Sequence, residues 1–441
     1  MKSIDGPPSG KEKRPIPYEY EIQGSTIMKE RSADSPVAHP PLMEPDEALA
    51  LVLENTSVES SMELPLAQAA GKILALPVTA DRDYPPFDRA MMDGVAVRTS
   101  DAGKAVEIIG EVAAGQASEI ELLPGTCVEI MTGAVCPRGT EAVVQKELIS
   151  RSGSWVTLPA PIAEGKNISL RGSDCASRSI TLQPGDTLTP LAIGMMASFG
   201  YTHASVLPNP RLAVISTGRE VIAPDAKPGP CQIRDANGPL LLAMASQLSS
   251  LTDTMYELAG DTETSISAAL ERVESCNLIL LTGGVSAGKY DIVPDCLKSY
   301  GAKILFHKVR QKPGKPLLFA TRGRQLIFGL PGNPLAAHLC FHRYVAAALR
   351  KMTGNPPHPV GLTGELTGPL VPKGLRDRFD LVHAALGRNG WKVTPGKTVS
   401  SADLFNASQA NAYVRVPAGS EKIPAGQSVE FFIIGEWGWT S

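Results

Sequence analysis

Continuous apolar runs mark the middle of the chain. They lie at residues 212–215, 278–281 and 326–328, and runs of this kind are typical of strands buried on both faces of a sheet. Between them, apolar residues recur at helical spacing over 239–248 and 266–273. This alternation of strand and helix patterns predicts a parallel sheet with helices on both of its faces.

The segments on either side of this region have a different pattern. From residue 84 to 174 the apolar pieces are short and are separated by Gly and Pro, which predicts a β-rich module. Its expected strands are 95–97, 106–109, 127–131 and 142–144. Beyond Pro356 the pattern again predicts strands, which are expected around Val382 and Val393 and over 413–416 and 429–434.

Helices are also expected outside the α/β region. The first begins near Pro45, because Asp46 and Glu47 follow it and acids suit the first turn of a helix. Its apolar stripe consists of Ala48, Leu49, Val52 and Leu53. Further helices are expected at 66–74, at 189–199 and, after a Gly-Pro-rich loop, at 335–349.

These patterns divide the chain into a disordered tail and several folded domains. The tail is rich in Pro, Ser, Lys and Glu and has few large apolar residues. The expected bounds are 1–43 for the tail, 44–85 with 176–208 for a helical linker domain, 86–175 for a β-rich domain, 209–356 for the α/β domain and 357–441 for a C-terminal β domain.

Composition narrows the range of partners. The formal net charge of −3 argues against a broad electrostatic grip on nucleic acid, although it permits a local basic site for a small anion. The seven cysteines are scattered and form no C-x-x-C pair, which favours a reducing compartment. No apolar run reaches the roughly 18 residues of a membrane span, and the N-terminal segment lacks the apolar stretch of a signal peptide. We therefore expect a cytoplasmic protein with no nucleic-acid or membrane partner.

A glycine-rich loop follows the second apolar run, at residues 282–291. Ligands bind at the carboxyl ends of strands in α/β sheets. The backbone N–H groups of Gly283 and Gly284 and the hydroxyl of Ser286 suit an anion there. A tight turn without a ligand is the structural alternative, which we rank lower because a turn alone does not require Ser286 and Asp291.

The same loop partly matches a nucleotide-binding P-loop. Residues 283–289 fit G-x-x-x-x-G-K, but Tyr290 stands where that motif requires Ser or Thr as a magnesium ligand. Pro294 also lies where the helix of a P-loop should already be established. The P-loop interpretation, and with it an ordinary nucleotide-dependent kinase, is therefore disfavoured.

A basic segment lies at residues 307–316. Its cations are Lys308, Arg310, Lys312 and Lys315. Such charge runs are usually solvated loops, but this one shares the α/β domain with the glycine-rich loop, which favours a phosphate or oxyanion site. Another loop, 329–334, joins a strand to a helix; Asn333 can cap that helix and Pro334 suits its first turn. For this loop, a structural corner and a ligand contact stay equally open.

Carboxylates recur at loop positions, and Mg²⁺ prefers such oxygen ligands. They are Asp88, Asp93, Asp174, Glu220, Asp261 and Asp291. Each alone is more often a helix cap or a surface acid. His338 and His342 share a helix face at zinc-binding spacing, but no Glu lies between them as in H-E-x-x-H. Core or surface histidines are the favoured interpretation of this pair.

Several long motifs, in order, resemble the molybdopterin molybdenumtransferase family of the MoeA and gephyrin E-domain type. The resemblance runs from Glu44 to the C-terminus. The motifs are PPFDRAMMDG at 85–94, IMTGA at 130–134, GTEAVV at 139–144, RGSD at 171–174, STGRE at 216–220, the glycine-rich loop, KPGKP at 312–316 and PGNP at 331–334.

This resemblance implies an α/β plus β multidomain fold. It would comprise a MogA-like doubly wound α/β domain, a β-rich insert domain and a C-terminal β-barrel-like domain. It also implies a Mg²⁺-dependent transferase that inserts molybdate into adenylyl-molybdopterin and releases AMP. The enzyme would be a homodimer, with the β-rich domain of the partner chain closing the site. A separate molybdopterin adenylyltransferase would hand over the substrate.

The resemblance also implies roles for individual residues. The catalytic positions are Asp93, Thr132, Asp174, Glu220, Asp261, Asp291, Lys308 and Lys312. The pterin would be bound by Gly283, Gly284, Ser286, Asp291, Lys312, Lys315, Asn333 and Ser401. The magnesium ligands would be Glu220, Asp261 and Asp291.

The chain departs from the family pattern at several positions. Arg219 stands where the family usually has Asp, Ser173 where it has Glu, and Ala336 where it has Ser. Lys289 occupies a position that is often acidic, and Arg89-Ala90 replaces the usual Asn-Ser. The alternative is therefore a divergent paralogue, either a pterin-binding scaffold or an enzyme with an altered substrate. The retained carboxylates favour the active transferase.

Overall fold

The computed structural model describes residues 42–116, 118–248, 254–284, 292–372, 374–397 and 400–434. The first helix, α1 (Pro45–Glu54), begins where the sequence predicts. Ala48 and Val52 are fully buried in the core of the α/β domain, so α1 packs on that domain rather than on the helical linker domain. Met43, within the expected tail, forms a parallel bridge with Val309 and so belongs to the folded part.

The next elements are short. They are β1 (Met62–Pro65), α2 (Leu66–Ala69) and β2 (Val78–Thr79). The helix expected at 66–74 is therefore wrong in length. Gly71 adopts a left-handed φ of +78°, which ends the helix, and Ile73 and Leu74 form β-bridges instead.

The β-rich domain is built as predicted, from short strands between turns. Its strands are β3 (Arg89–Ala90), β4 (Gly94–Val97), β5 (Ala105–Val112), β6 (Thr126–Ile130), β7 (Ala142–Gln145), β8 (Ser150–Ser152), β9 (Trp155–Thr157) and β10 (Ile168–Ser169). Six of them form an open sheet in the order β7-β4-β6-β5-β9-β8, and β3 pairs with β10. 3₁₀ turns lie at Thr99–Asp101 and Lys146–Leu148.

The chain then returns to the linker domain. Its elements there are β11 (Ile180–Leu182), α3 (Pro190–Ser198) and β12 (His203–Val206). The side chain of Thr189 caps α3 by accepting a hydrogen bond from the backbone N of Ala192. Because β11 pairs with β2 and β12 with β1, this domain contains antiparallel strand pairs as well as helices.

The α/β domain follows. Its strands are β13 (Leu212–Thr217), β14 (Val221–Ile222), β15 (Ile233–Arg234), β16 (Thr254–Ala259), β17 (Leu278–Thr282), β18 (Lys303–His307), β19 (Gln311–Lys312), β20 (Leu318–Arg322) and β21 (Gln325–Leu330). Its helices are α4 (Asn237–Ser246), α5 (Glu263–Arg272), α6 (Val293–Ser299), α7 (Pro334–Cys340) and α8 (Ala346–Met352). A π-helical segment, Phe341–Val345, joins α7 to α8, so the helix expected at 335–349 is not regular.

The main sheet has the strand order β16-β13-β17-β21-β20-β18. The first four strands are parallel, but β20 is antiparallel to both neighbours, so the sheet is mixed rather than wholly parallel as predicted. Alternate residues of β13 and β17 enter two different cores, one under α1, α4, α7 and α8 and the other under α5 and α6. The domain is therefore doubly wound, as expected.

The C-terminal domain is a closed barrel. Its elements are β22 (Gly361–Leu366), β23 (Asp377–Gly387), β24 (Gly390–Pro395), α9 (Leu404–Ala407), β25 (Ala412–Val416) and β26 (Ser428–Ile433). The order β23-β24-β22-β26-β25 returns to β23 through a β23–β25 pairing, which closes the ring. From the α/β domain, β19 pairs with β23 and so joins the two domains. The described residues contain no helix long and apolar enough to cross a membrane.

Candidate active site

Predicted site residues line the carboxyl edge of the main sheet. Asp261 follows β16, Glu220 follows β13, Gly283 follows β17 and Asn333 follows β21. Lys308 follows β18, which is antiparallel to β20 and therefore points the same way as β21. The edge thus runs from acidic side chains at one end, past the glycines, to lysines at the other.

At the acidic end, a cation already lies against one carboxylate. Nε of Arg219 is 3.8 Å from Oδ2 of Asp261, whose side chain is 21% exposed, whereas the Arg219 side chain is 77% exposed. Glu220 is exposed beside them. No group of three or more His, Cys, Asp or Glu residues poised to hold a metal occurs in the described part of the chain. Asp291, the remaining predicted metal ligand, lies outside that part.

The glycine-rich loop leaves the sheet in a conformation that only glycine adopts readily. Gly283 and Gly284 have φ of +92° and +61°, and a Cβ atom on Gly283 would collide with the carbonyl oxygen of Thr217. Ser286, Lys289, Tyr290 and Asp291 lie outside the described residues. Helix α6 begins only at Val293, several residues after the point where a P-loop helix would start.

Asn237 holds this loop to its neighbour and was not singled out from the sequence. Its Nδ2 donates hydrogen bonds of 2.8 Å to Oγ1 of Thr282 and to the carbonyl oxygen of Gly332. A buried amide with two donors can join two loops in this way. The sequence signal was weak, because an Asn at the start of a helix usually indicates a cap.

The basic segment lines a cavity of about 550 Å³ between the α/β domain and the barrel. Lys312, Lys315, Asn333 and Ser401, all predicted from the sequence, lie in its wall together with Arg376 and Arg378. The two arginines were missed. Only the pairing of β19 with β23, which sets Lys312 opposite Arg378, brings them to the lysines.

The wall of this cavity corrects one prediction. Asn333 makes no side-chain cap on α7; instead its Nδ2 donates a hydrogen bond of 2.8 Å to Oγ of Ser401. The Leu335 backbone N also donates to the carbonyl oxygen of Ser401. The PGNP loop is thus tied to the barrel domain at the cavity wall.

The basic segment is itself held in an unusual conformation. Lys308 has a φ of +80°. Residues other than glycine rarely adopt this left-handed backbone conformation, and those that do are often found at functional sites. Its backbone N donates to the carbonyl oxygen of Leu317, and its own carbonyl oxygen accepts from the N of Met43. Lys308 lies near the start of the basic segment along the chain and is not in the cavity wall.

A second cluster lies in the β-rich domain. Oδ1 of Asp93 accepts hydrogen bonds from both Oγ1 and N of Thr132, at 2.6 and 2.8 Å. These bonds, with Nζ of Lys146 at 3.7 Å, lower the pKa of Asp93. Oδ2 of Asp174 lies 3.3 Å from Nη2 of Arg89. Arg89, one of the departures from the family pattern, therefore neutralises an acid of this cluster.

Asp88 and the departure Ser173 belong to the same loops. Oδ1 of Asp88 accepts a hydrogen bond from the backbone N of Arg171, and Oγ of Ser173 donates to Asp174. Large apolar side chains are exposed around the acids: Phe87, Met91, Met92, Met131 and Leu170. We call these five residues the apolar rim. Among the described residues, no hydrogen bond or ion pair joins these loops to the carboxyl edge of the same chain.

His342, which is buried, and His338, which is partly buried, form a pair on the helix that follows the PGNP loop. Their ring centroids are 4.7 Å apart. Burial lowers the pKa of His338 to about 4 and that of His342 well below its usual value. The histidines are therefore neutral residues of the core at physiological pH.

A doubly wound domain with a cation-lined cavity at its carboxyl edge, closed on one side by a barrel, is the arrangement of an α/β protein that binds a small molecule. Three family models cover most of the chain. They are the MoeA N-terminal region (domain I and II) over residues 43–200, a probable molybdopterin binding domain over 213–351 and the MoeA C-terminal region (domain IV) over 365–434. The chain belongs to the MoeA family of molybdenum cofactor biosynthesis proteins.

Relatives and solved structures agree with this assignment. The chain is 30% identical over 414 residues to the molybdopterin molybdenumtransferase of Bacillus subtilis, covering 90% of this chain and 96% of that protein. It is 31% identical to that of Staphylococcus epidermidis, covering 88% and 94%. A crystal structure of the MoeA protein from Pyrococcus horikoshii superposes with a TM-score of 0.79 at 25% identity, covering 90% of this chain and all of that one. A second structure of that protein gives 0.73 at 28% identity, covering 89% and 99%.

Proposed function

We propose that this protein is a molybdopterin molybdenumtransferase, which inserts molybdate into adenylyl-molybdopterin with release of AMP. The observation that supports the proposal best is the distribution of charge along the carboxyl edge of the main sheet. It offers carboxylates and glycine N–H groups at one end and a cavity with four cationic side chains at the other. A substrate with a phosphate end and an oxyanion-binding end matches this arrangement.

The basic cavity is the proposed molybdate site. Lys312 and Lys315 supply compact charges, and Arg376 and Arg378 supply planar donors from the barrel. Arg378 is partly neutralised, because its Nη2 lies 2.7 Å from Oδ1 of Asp380. Asn333 and Ser401 add neutral donors beside the cations. Such a mixture suits a tetrahedral dianion, which requires hydrogen bonds from several directions.

The adenylyl phosphate would lie nearer the glycines. Adjacent strands are about 4.8 Å apart, so the three steps from β13 to β20 separate the acidic end from the lysine loop by roughly 14 Å. We infer that an extended substrate spans this distance, with Gly283, Gly284 and Ser286 binding phosphate.

The reaction requires no electron transfer. The phosphoanhydride bond of adenylyl-molybdopterin is cleaved, and an oxygen from water or molybdate completes the phosphate of the departing AMP. Each dithiolene sulfur that binds molybdenum displaces an oxygen ligand, which leaves as water after protonation. The cations of the cavity stabilise the negative charge that molybdate and pterin share while this exchange takes place. Lys308 would lie beside this path.

A magnesium ion fits the acidic end by the chemistry of its donors. Glu220 and Asp261 would hold it, together with Asp291, since Mg²⁺ prefers carboxylate oxygens. When bound, the ion would neutralise phosphate charge and stabilise the leaving AMP. Arg219, which lies against Asp261, competes with the ion for that carboxylate.

We further propose that the active form is a homodimer. Within the described part of the chain, no hydrogen bond links Asp93, Thr132 or Asp174 to the carboxyl edge, and the apolar rim around them is exposed. A second copy that buried the rim would bring this acidic cluster towards its basic cavity. We expect a molybdopterin adenylyltransferase to hand over the substrate. We expect the reaction to take place in the cytoplasm, because the seven cysteines are scattered and include no C-x-x-C pair.

The test is AMP release from purified adenylyl-molybdopterin, with and without molybdate and Mg²⁺. We expect release to require both, and Lys312→Ala to lower kcat/KM about a hundredfold through loss of a charge-assisted contact. Lys298→Ala, which removes an exposed lysine from α6, is the matched control. Tight binding of the substrate without AMP release in the wild-type protein would instead support the scaffold alternative.

A further inference from the structure

Gln311 lies directly before Lys312, and its side chain is fully buried. The amide is bonded at both ends. Its Oε1 accepts a hydrogen bond of 2.6 Å from the hydroxyl of Tyr344, and its Nε2 donates to Sγ of Cys340 at 3.5 Å. Because a buried amide is costly unless it is bonded, these contacts fix Gln311 to the helix beneath the lysine loop.

The same amide supports the turn between the two lysines. Gly314 has a φ of +98°, and a Cβ atom there would lie 2.5 Å from Nε2 of Gln311 and 2.7 Å from Sγ of Cys340. The loop backbone therefore rests on both side chains with no room for another atom. A shift of the Gln311 amide must move Gly314, and with it Lys312 and Lys315 on either side.

Tyr344 reaches Gln311 from the π-helical segment Phe341–Val345. A π turn carries an extra residue, and such turns are frequent at functional sites. Burial raises the pKa of Tyr344, so its hydroxyl stays protonated and remains a donor at neutral pH. The irregular turn therefore ends in a defined hydrogen bond to the residue that supports the anion cavity.

We infer that Tyr344 and Gln311 are positioning residues of the anion cavity. They hold the backbone of the lysine loop so that Lys312 and Lys315 keep a fixed separation across the bound anion. The charges of the lysines bind the anion, whereas the buried hydrogen bonds set their spacing. The identification of the anion as molybdate rests on the proposed function. The inference that Tyr344 supports the lysine loop is independent of that function.

The test is Tyr344→Phe, which removes one oxygen atom and leaves Oε1 of Gln311 without its donor. We expect the KM for molybdate to rise about tenfold, the scale of one buried hydrogen bond, while kcat and the KM for adenylyl-molybdopterin change less than about twofold. Tyr300→Phe is the matched control, since no described residue is a hydrogen-bond partner of its buried hydroxyl. A purely structural role would lower the unfolding temperature without separating the two Michaelis constants.

Cys340→Ala removes the acceptor of the hydrogen bond from Nε2 of Gln311. This variant provides a second test if Tyr344→Phe does not fold. It should raise the KM for molybdate by a smaller factor, because a thiol is a weak acceptor. An unchanged KM for molybdate in a folded variant of either residue would overturn the inference. If the wild-type protein shows no molybdate-dependent turnover, the proposed function fails instead. The dissociation constant of inorganic sulfate, measured by calorimetry on the same variants, then decides whether Tyr344 positions the lysines.

Discussion

Arg219 distinguishes this chain from the usual pattern of its family, which has Asp at this position. Its guanidinium lies 3.8 Å from Asp261, a carboxylate of the proposed metal site. Because the arginine side chain is 77% exposed, the pair is screened by water and is readily displaced. We therefore expect Arg219 to weaken the binding of a divalent cation rather than to prevent it.

Arg219→Asp should strengthen cation binding. The substitution removes the competing charge and supplies another oxygen ligand, so the Kd for Mn²⁺ should fall about tenfold. Electron paramagnetic resonance of free Mn²⁺ measures this without turnover. Arg322→Asp makes the same change of charge at an exposed site in the same domain and controls for net charge. Equal Kd values for wild type and Arg219→Asp would show that Arg219 does not compete with the ion.

The helix that follows the PGNP loop shows how one element serves both stability and the site. Its first turn contains Leu335, whose backbone N contacts Ser401 of the cavity wall, and its π segment presents Tyr344 to Gln311. The same helix holds the partly buried His338 and the buried His342 as neutral rings. The protein should therefore be sensitive to acid through this helix.

Acid should destabilise the protein through these histidines. Burial lowers the pKa of His338 from 6.5 to about 4, so between these values the unfolded chain binds a proton that the folded chain does not. The free energy of unfolding should then fall as the pH falls through this window, by up to about 3 kcal/mol for His338 alone. Denaturant titrations from pH 7 to about 4 would measure the slope.

Substitution separates this effect from general acid sensitivity. His338→Gln should flatten the dependence on pH, whereas His383→Gln, at an exposed position of the barrel, should leave it unchanged. The same slope in wild type and His338→Gln would show that other groups cause the acid sensitivity.

At the scale of the whole molecule, the cavity is a product of two domains. The α/β domain supplies the lysines, the barrel supplies Arg376, Arg378 and Ser401, and β19 pairs with β23 to join them. Asp46 of α1 strengthens this join, because its carboxylate accepts hydrogen bonds from Arg343 and from Arg415 of the barrel. In the proposed homodimer, a second copy would bring the acidic cluster of the β-rich domain to such a cavity.

Loss of the apolar rim should separate the dimer. Met91 and Met92 are 55% and 40% exposed, and burying a methionine side chain contributes about 1.5–3 kcal/mol. Replacing both by Gln should therefore raise the dimer dissociation constant at least tenfold, as measured by analytical ultracentrifugation, and should lower AMP release in parallel. Leu386→Gln, at another exposed apolar position, is the control. A double variant that stays dimeric would show that the rim is not the interface.

Local patterns in the sequence determined much of the fold. The runs at 212–215, 278–281 and 326–328 became neighbouring strands, because an unbroken apolar segment is stable only when both faces of the strand are buried. The acids that follow Pro45 predicted the start of α1, and the helical pattern from residue 189 predicted the start of α3 to within one residue. Two of the three predicted lysines, Lys312 and Lys315, meet Asn333 and Ser401 in one cavity, whereas Lys308 does not line it. The resemblance of motifs, rather than spacing, supplied Ser401.

Tertiary structure decided what depends on distant partners. The closure of the barrel and the β-bridges at the end of the helix expected at 66–74 come from pairings with segments far along the chain. The reversal of β20 was also missed, although it is a local hairpin with β21 in which Arg322 pairs with Gln325. Asn333 could have capped its helix, but Ser401 offered a better-placed acceptor from another domain. Arg376, Arg378 and Asn237 were missed because only folding brings them to the site. The sequence by itself determined the elements and the chemistry they carry, since both depend on near neighbours; which side chains share one cavity was settled by long-range packing, which no local pattern encodes.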